Sequence, residues 1–285
     1  MSDGPDDSRP LIDVVRESLD TFSSVERKVA RALLANYPIA GLETVAELAE
    51  RSNVSPSSVV RFVGRLGFTG YPAFQKKLMR EVHERLGSPL EQYGRTDLSL
   101  GDGDLAHAAR HFSAVVATTL TDLPRSEFDR CVGLLSDQRR PVRLIGGRFS
   151  RILAEYLGAH LQLLRPDVEV LGTDEFARFA AVSDAGRDDV FVLFDYRRYD
   201  ASSVRFAQRV SERGADLILF TDRWMSPAAD VATTVLPANV ESPSPFDSLV
   251  PAMALVEAVI AGATERLGET GRRRLEVIER MRGEE

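Results

Sequence analysis

The sequence predicts two domains of different fold class: an all-α helix-turn-helix N-terminal domain, followed by an α/β domain that forms a doubly wound parallel sheet. Its length of 285 residues exceeds that of one typical domain. The first third of the chain carries apolar residues at helical spacing between short start and stop signals. From Val142 onward, short apolar runs alternate with helical segments, which is the pattern of a parallel sheet covered on both faces.

Composition and charge exclude several classes of protein. A single cysteine, Cys131, rules out a disulfide framework and cysteine-rich zinc modules. The sequence has no run of about 18 apolar residues and no basic, apolar leader, so we expect a cytoplasmic protein without a membrane partner. The net charge of −7 lies entirely in residues 96–285, because residues 1–95 carry equal numbers of acidic and basic side chains. The N-terminal third is therefore compatible with a partner rich in phosphate.

The first three helices are predicted from their start and stop signals. Apolar residues recur at helical intervals over residues 11–19, which predicts a first helix. A second helix follows Ser24 over residues 26–36, where a proline then stops it. Thr44 and Glu47 form a capping box, in which the threonine caps the helix start and the glutamate bonds back to it, so a third helix begins there.

The fourth predicted helix is the most informative stretch of the chain. Ser55 caps it and Pro56 occupies its first turn. Its apolar residues are predicted to face a core, and these are Val59, Val60, Phe62, Val63 and Leu66. Its polar residues are predicted to face outward, and these are Ser57, Ser58, Arg61 and Arg65. Gly67 supplies the left-handed residue that ends the helix.

Two short helices joined by a tight connection, the second of them cationic, are typical of a helix-turn-helix, whose second helix enters the major groove of DNA. Residues 51–80 contain six basic side chains and no acidic one. The predicted DNA contacts are Ser57, Ser58 and Arg61 at base edges, Ser55 at the helix start, and Arg65, Lys76 and Lys77 at phosphates. A helical hairpin without a role in DNA binding is the alternative interpretation.

Several separate segments of this region match one family in order and spacing. They are the Leu-Gly-Phe-x-Gly-Tyr segment at 66–71, the run at 33–38 and the run at 45–49. By these motifs, residues 11–87 resemble the N-terminal domain of the RpiR family of bacterial transcription regulators. The resemblance implies an operator-binding domain fused to a sugar-isomerase-type (SIS) effector domain. We therefore expect domains at residues 1–87 and 105–285, joined by a linker at 88–104 that is rich in Gly, Pro, Ser and Asp.

The second half is predicted to alternate strands with helices. Strands are expected at residues 142–145, 168–171, 190–194, 217–220 and 234–236, and a helix over 246–267 closes the domain. A long helix ahead of the first strand carries His107 and His111 at i, i+4 spacing. Since no carboxylate nearby completes a metal site, no metal and no cofactor is expected.

Three loops at the carboxyl ends of the strands are predicted to form a ligand site, as in other doubly wound sheets. Gly147, Arg148 and Ser150 follow the first strand, where a helix N-terminus favours anions. Thr221 and Ser226 follow the fourth strand. The loop after the third strand completes the predicted site.

That third loop departs from the family's pattern. The resemblance implies a Ser-x-Ser-Gly-x-Ser/Thr segment there, whose hydroxyls and amides hold the phosphate of a sugar, but this chain has Asp-Tyr-Arg-Arg-Tyr at 195–199. In one interpretation, Arg197 and Arg198 bind a carboxylate or phosphate while Asp195 accepts from hydroxyls or an amine. In the other, these arginines pair with Asp195 or Asp200 and the loop binds no ligand.

The sequence therefore favours a DNA-binding transcription regulator over an enzyme. Its expected partners are a double-stranded DNA operator, a small and anionic effector such as a sugar phosphate or carboxylate, and further copies of the chain in a homodimer or homotetramer. The alternative is a SIS-type sugar-phosphate isomerase or sugar-binding enzyme with an accessory helical domain. Isomerisation requires a general base, for which Glu241 is the best candidate.

Overall fold

A computed structural model describes residues 11–86 and 104–283 of the chain. Each of these two ranges forms a compact unit. The loose end predicted at residues 1–10 lies outside the described residues, as does nearly all of the linker predicted at 88–104.

The N-terminal unit is all-helical within residues 11–86. Its helices are α1 (Leu11–Glu17), α2 (Ser24–Ala35), α3 (Ile39–Leu42), α4 (Val45–Arg51), α5 (Pro56–Arg65) and α6 (Tyr71–Leu86). One buried apolar cluster joins them, and its fully buried members include Val15, Leu33, Leu48, Phe62 and Phe74. The all-α class predicted for this region is confirmed.

Reciprocal capping boxes fix the starts of two helices. The Glu47 amide donates to Thr44 Oγ1 (3.3 Å) while the Thr44 amide donates to Glu47 Oε2 (2.7 Å), which confirms the predicted box before α4. An equivalent box that we did not predict joins Ser23 to Glu26 before α2. Ser23, and not the predicted Ser24, is therefore the capping residue. Caps of this kind each stabilise a helix by about 1 kcal/mol.

Some helices differ from the prediction in extent or were not predicted. The first helix ends at Glu17, two residues early, and a short 3₁₀ turn over Leu19–Thr21 follows it. Neither α3 nor α6 was predicted. The second of these is essential to the unit, because its Phe74 and Leu78 are fully buried in the core.

The C-terminal unit contains a five-stranded, all-parallel sheet. Its strands are β1 (Val142–Gly146), β2 (Val168–Val170), β3 (Val190–Phe194), β4 (Asp216–Asp222) and β5 (Thr234–Ala238), in the order β2-β1-β3-β4-β5. Phe194 of β3 lies opposite Gly146 of β1 and Phe220 of β4. The loops after these three strands therefore leave the same edge of the sheet, which is where ligands bind in doubly wound folds.

Helices cover both faces of this sheet, so the predicted doubly wound class is confirmed. The helices are α7 (Asp104–Asp122), α8 (Arg125–Ser136), α9 (Arg151–Leu164), α10 (Glu175–Ser183), α11 (Ala201–Glu212) and α12 (Val250–Gly283). Residues of α8, α9 and α12 fill one core cluster, and residues of α10 and α11 fill another. We did not predict α8, which carries the fully buried Cys131.

The last helix was placed incorrectly by the sequence pattern. The prediction was 246–267, whereas α12 begins at Val250 and continues to Gly283, with a non-helical residue at Gly268 (φ 49°, ψ −127°). The Phe246 amide donates to Ser244 Oγ (3.3 Å). This turn, with prolines on both sides of Ser244, keeps the stretch before Val250 out of the helix.

Within the described ranges, no group of three or more His, Cys, Asp or Glu side chains could hold a metal ion. His107 and His111 do share one side of α7, with ring centroids 6.4 Å apart. None of the described helices combines the length and the apolar character needed to cross a lipid bilayer.

Candidate DNA-binding helix and effector loops

The start of α5 is organised by three serines. Ser55 Oγ accepts from the Ser58 amide (3.3 Å), which caps the helix as predicted, and it lies 2.9 Å from both Ser57 Oγ and Ser58 Oγ. At the other end, Gly67 has φ 92°, and the Phe68 amide donates to the Val63 carbonyl (3.3 Å). The helix is therefore fixed at both ends by local hydrogen bonds.

Two residues of α5 lie on the opposite face from the one that we predicted. Val60 was assigned to the core but is 45% exposed, while Ser58 was assigned to the outer face but is 7% exposed. The helical period explains both, because Ser58 lies one turn from Phe62 on the buried face and Val60 lies three residues from Ser57 on the exposed face. The exposed residues of α5 are Pro56, Ser57, Val60, Arg61, Gly64 and Arg65.

The basic side chains near α5 differ in their partners. Arg61 Nη2 donates to Ser58 Oγ (3.4 Å), and no carboxylate in the described ranges forms an ion pair with Arg61 or with the exposed Lys76. Arg65 Nη2 donates to the Thr21 carbonyl (2.7 Å), so this side chain is partly committed within the unit. Arg61 and Lys76 are therefore the cations best placed to contact a phosphodiester.

Lys77 lies inside the unit, contrary to the prediction that it contacts phosphate. It is 7% exposed, and its Nζ lies 3.5 Å from Glu81 Oε1, one turn further along α6. The same carboxylate group accepts from the Leu11 amide (2.9 Å) and from the Tyr37 hydroxyl. Lys77 thus compensates a buried carboxylate, and we remove it from the proposed DNA contacts.

The loop after β1 is closed by a serine that we had predicted to face a ligand. Ser150 Oγ accepts from the Gly147 amide (2.9 Å) and donates to the Phe194 carbonyl (2.8 Å), and Ser150 is 5% exposed. Its hydroxyl and the Gly147 amide therefore join the ends of β1 and β3. Arg148 is exposed, with its guanidinium 5.4 Å from the centre of the Phe149 ring.

The two arginines after β3 share one acidic partner, and it is neither of the two that we considered. Arg197 Nη2 lies 2.7 Å from Asp247 Oδ1, Arg197 Nε donates to Asp247 Oδ2 (3.2 Å), and the arginine side chain is 6% exposed. Arg198 lies 3.4 Å from the same carboxylate with its side chain 39% exposed. Arg197 is thus largely neutralised, whereas Arg198 still presents its guanidinium to solvent.

Two buried carboxylates stand at the ends of β3 and β4. Asp195 accepts from Ser226 Oγ (2.5 Å), and burial raises its pKa to about 6. Asp222 accepts from the Tyr199 hydroxyl (2.6 Å) and the Arg197 amide (2.6 Å), yet burial still raises its pKa. These carboxylates hold the loops together, so the role predicted for Asp195 towards a ligand is taken by Ser226.

The predicted residues after β4 also lie inside the loop structure. Thr221 is fully buried, and its Oγ1 accepts from the Ser226 amide (3.1 Å). Ser226 itself is 1% exposed and caps the 3₁₀ turn that follows it, Pro227–Val231. Both residues therefore shape the loop from beneath.

Two polar hydrogens at this edge of the sheet lack an acceptor. Among the described residues, neither the buried Tyr196 hydroxyl nor the buried Trp224 Nε1 has a hydrogen-bond partner. Trp224 lies beside two guanidiniums, with Arg223 at 4.5 Å and Arg197 at 5.3 Å from its ring centre. Buried donors without acceptors are uncommon in folded proteins and often mark functional sites.

Backbone strain is found in the same loops. Arg198 (φ 67°) and Met225 (φ 59°) both adopt the left-handed region, which residues other than glycine rarely occupy. Such conformations are concentrated at ligand-binding and active sites. Sequence reasoning missed Asp247, Tyr196 and Trp224, because their roles depend on which loops meet and not on any local motif.

Comparisons with known proteins agree with this architecture. Residues 11–85 match the helix-turn-helix domain of the rpiR family, and residues 134–262 match the SIS domain. The chain is 27% identical over 268 residues to the HTH-type transcriptional regulator HexR of Pseudomonas aeruginosa, with 90% of each chain covered.

Solved structures show the same fold. The sugar isomerase domain of an RpiR transcription factor from Sphaerobacter thermophilus matches with TM-score 0.58 and 22% identity, covering 62% of this chain and 98% of that one. The NanR protein of Vibrio vulnificus, complexed with ManNAc-6P, matches with TM-score 0.55 and 20% identity, covering 95% and 97%. With an rpiR-type helix-turn-helix domain followed by a SIS domain, the chain belongs to the RpiR family of transcription regulators.

Proposed function

We propose that this regulator binds double-stranded operator DNA through α5 as a homodimer, and that a small anionic metabolite at the effector loops changes this binding. The observation that carries the proposal is the exposed face of α5. It presents Ser57 and Arg61 beside Lys76, and neither cation has an acidic partner in the described ranges. A two-fold pair of such helices fits two half-sites of a palindromic operator.

The DNA-binding part of the proposal is tested with Arg61→Ala and Lys76→Ala. Arginine pairs with guanine in the major groove, so R61A should lose roughly 1–3 kcal/mol of specific affinity and relax the preference at one base pair. A lysine that contacts phosphate carries no sequence information, so K76A should weaken all duplexes alike and lower the salt dependence by about one ion.

The assay is fluorescence anisotropy with duplexes from the DNA upstream of the chain's own gene, at several salt concentrations. Arg16→Ala is a matched control, because Arg16 is exposed on α1. A protein that binds none of these duplexes at low salt would contradict the proposal. An unchanged base preference in R61A would remove Arg61 from the interface.

The effector part rests on groups that remain open at the carboxyl edge of the sheet. Arg148 is exposed and Arg198 is 39% exposed, and both can pair with an oxyanion. The donors of Tyr196 and Trp224, which lack acceptors among the described residues, match further oxygen atoms of a ligand. The phosphosugar held by NanR supports a sugar phosphate as the first class to test, and carboxylates are the second.

Thermal stabilisation measures this binding directly. A panel of sugar phosphates and small carboxylates should contain compounds that raise the melting temperature of the wild type. Arg198→Ala and Tyr196→Phe should each reduce that rise, whereas Arg187→Ala, at an exposed arginine on the opposite edge of the sheet, should not. If the variants respond as the wild type does, the ligand binds elsewhere.

The isomerase alternative is weakened by the surroundings of its candidate base. The Glu241 carboxylate accepts from Arg223 Nη1 (2.9 Å), and this ion pair holds the carboxylate in its charged form away from the predicted ligand loops. Turnover of aldose phosphates by the purified protein, abolished in Glu241→Gln, would favour the enzyme over the sensor.

A further inference from the structure

The exposed face of α5 contains two residues that neither pack in the core nor carry charge. Val60 is 45% exposed, although valine on a helix normally faces a core. Gly64 is exposed one turn later, and a Cβ added to it would meet no atom within 4 Å among the described residues. The fold of the unit gives no reason for either residue.

Gly64 in particular weakens the helix that it belongs to. Glycine loses more backbone freedom than any other residue when it becomes helical, and it ranks near the bottom of helix propensity. The glycines of this chain with a positive φ are Gly67, Gly214 and Gly268, so the backbone at Gly64 would accept any residue. What remains is the other use of glycine, which is to let the backbone approach a partner closely.

The position of both residues indicates which partner this is. Ser57, Val60, Arg61 and Gly64 follow one another at helical spacing of three or four residues, so they form one stripe. Arg61 and the neighbouring Lys76 lack acidic partners in the described ranges, which favours a polyanion over a second protein surface. The major groove of DNA offers an apolar group beside its polar base edges, namely the C5-methyl group of thymine.

We infer that Val60 contacts the C5-methyl group of a thymine in the operator, and that Gly64 allows α5 to approach the groove closely enough for this contact. The inference rests on the proposed DNA-binding function and adds a sequence preference to it. It makes Val60 a residue that determines specificity through apolar contact, next to the hydrogen-bonding Arg61.

Deoxyuridine provides the direct test, because it differs from thymidine only by this methyl group. Each thymine of a duplex selected by the wild-type protein is replaced in turn, and affinity is measured by anisotropy at constant salt. The wild type should lose about fourfold at one or more positions, which is the effect of exposing one buried methyl group. Val60→Ala should show no loss at those positions, whereas Val25→Ala, at a valine 40% exposed on α2, should behave as the wild type does.

Gly64→Ala separates binding from folding. Alanine is a better helix former and meets no neighbour here, so the variant should melt at the same temperature as the wild type or a few degrees above it. It should nevertheless bind DNA at least fivefold more weakly, while Gly283→Ala, an exposed helical glycine of the other unit, should bind normally.

The outcomes distinguish the inference from the proposed function. If no duplex is bound at low salt, the proposed function fails and the inference fails with it. If the wild type binds DNA but tolerates deoxyuridine everywhere, if V60A keeps the same loss, or if G64A binds with full affinity, only the inference is overturned. A change in oligomeric state in V60A with unchanged DNA affinity would assign this stripe to contact between two copies instead, and would also overturn it.

Discussion

Replacing Asp195 with asparagine should change how the stability of the SIS unit depends on pH. Burial raises the pKa of this carboxyl from its ordinary value of 3.8 to about 6. The folded protein therefore takes up a proton at a higher pH than the unfolded chain does. The stability linked to this proton is fully present below pH 3.8 and is lost as the pH rises through 6, so acidification from pH 7 to pH 5 should stabilise the wild type.

The size of the effect follows from proton linkage. A group with these two pKa values adds about 1.3 kcal/mol to the free energy of unfolding between pH 7 and pH 5, out of about 3 kcal/mol for the whole shift. That gain corresponds to a rise of roughly 2–5 °C in the melting temperature of a domain of this size. Asp200 acts in the opposite direction, because its hydrogen bonds to Ser202 lower its pKa, but its contribution is lost only at more acidic pH.

The single tryptophan of the chain, Trp224, lies beside Asp222 at the end of β4, so its fluorescence reports the unfolding of this unit. Urea titrations at pH 7 and pH 5 should show a gain in the wild type that exceeds the gain in D195N by about 1.3 kcal/mol. Asp188→Asn, at an exposed carboxylate, is the control and should retain the wild-type gain. Equal pH dependence in D195N and the wild type would refute the assignment.

Further substitutions test the other ion pairs. Lys77→Ala should lower the free energy of unfolding by about 1–3 kcal/mol, because it leaves the Glu81 carboxylate buried with one donor fewer, whereas Lys76→Ala should leave thermal stability unchanged and weaken DNA binding. The reverse pattern in these two lysine variants would show that their assignments are exchanged. Asp247→Ala should cost roughly 2–4 kcal/mol in urea unfolding, since Arg197 would keep its buried charge without its main partner. A loss below about 0.5 kcal/mol would mean that solvent replaces Asp247.

Local signals in the sequence predicted most of the architecture. The Thr44 capping box, the Ser55 cap and the left-handed Gly67 depend on neighbouring residues alone, and the structure has each of them as predicted. The strands were recognised because their apolar runs are buried on both faces. The predictions that failed involve side chains near the boundary between two helix faces, such as Val60 and Ser58, where helical periodicity alone does not decide burial.

The candidate site was less predictable, because its hydrogen bonds join residues that are distant in sequence. Ser150 bonds to Phe194 across 44 positions, and Arg197 bonds to Asp247 across 50. No motif marks such pairs, so the sequence could not show that Ser150 and Arg197 are engaged within the fold. The Tyr196 hydroxyl is a similar case, since only the packed structure shows that it is buried without an acceptor among the described residues.

The buried carboxylate of Glu81 determines how small a folded fragment of this regulator can be. It binds the amide of Leu11, 70 positions earlier, and the hydroxyl of Tyr37, 44 positions earlier, so it connects the first helix of the unit to the last. A peptide limited to α4 and α5 contains the whole helix-turn-helix but none of these groups. Any fragment prepared for crystallisation with DNA must therefore extend at least from Leu11 through Glu81, because a shorter one would expose the core that holds α5 in place.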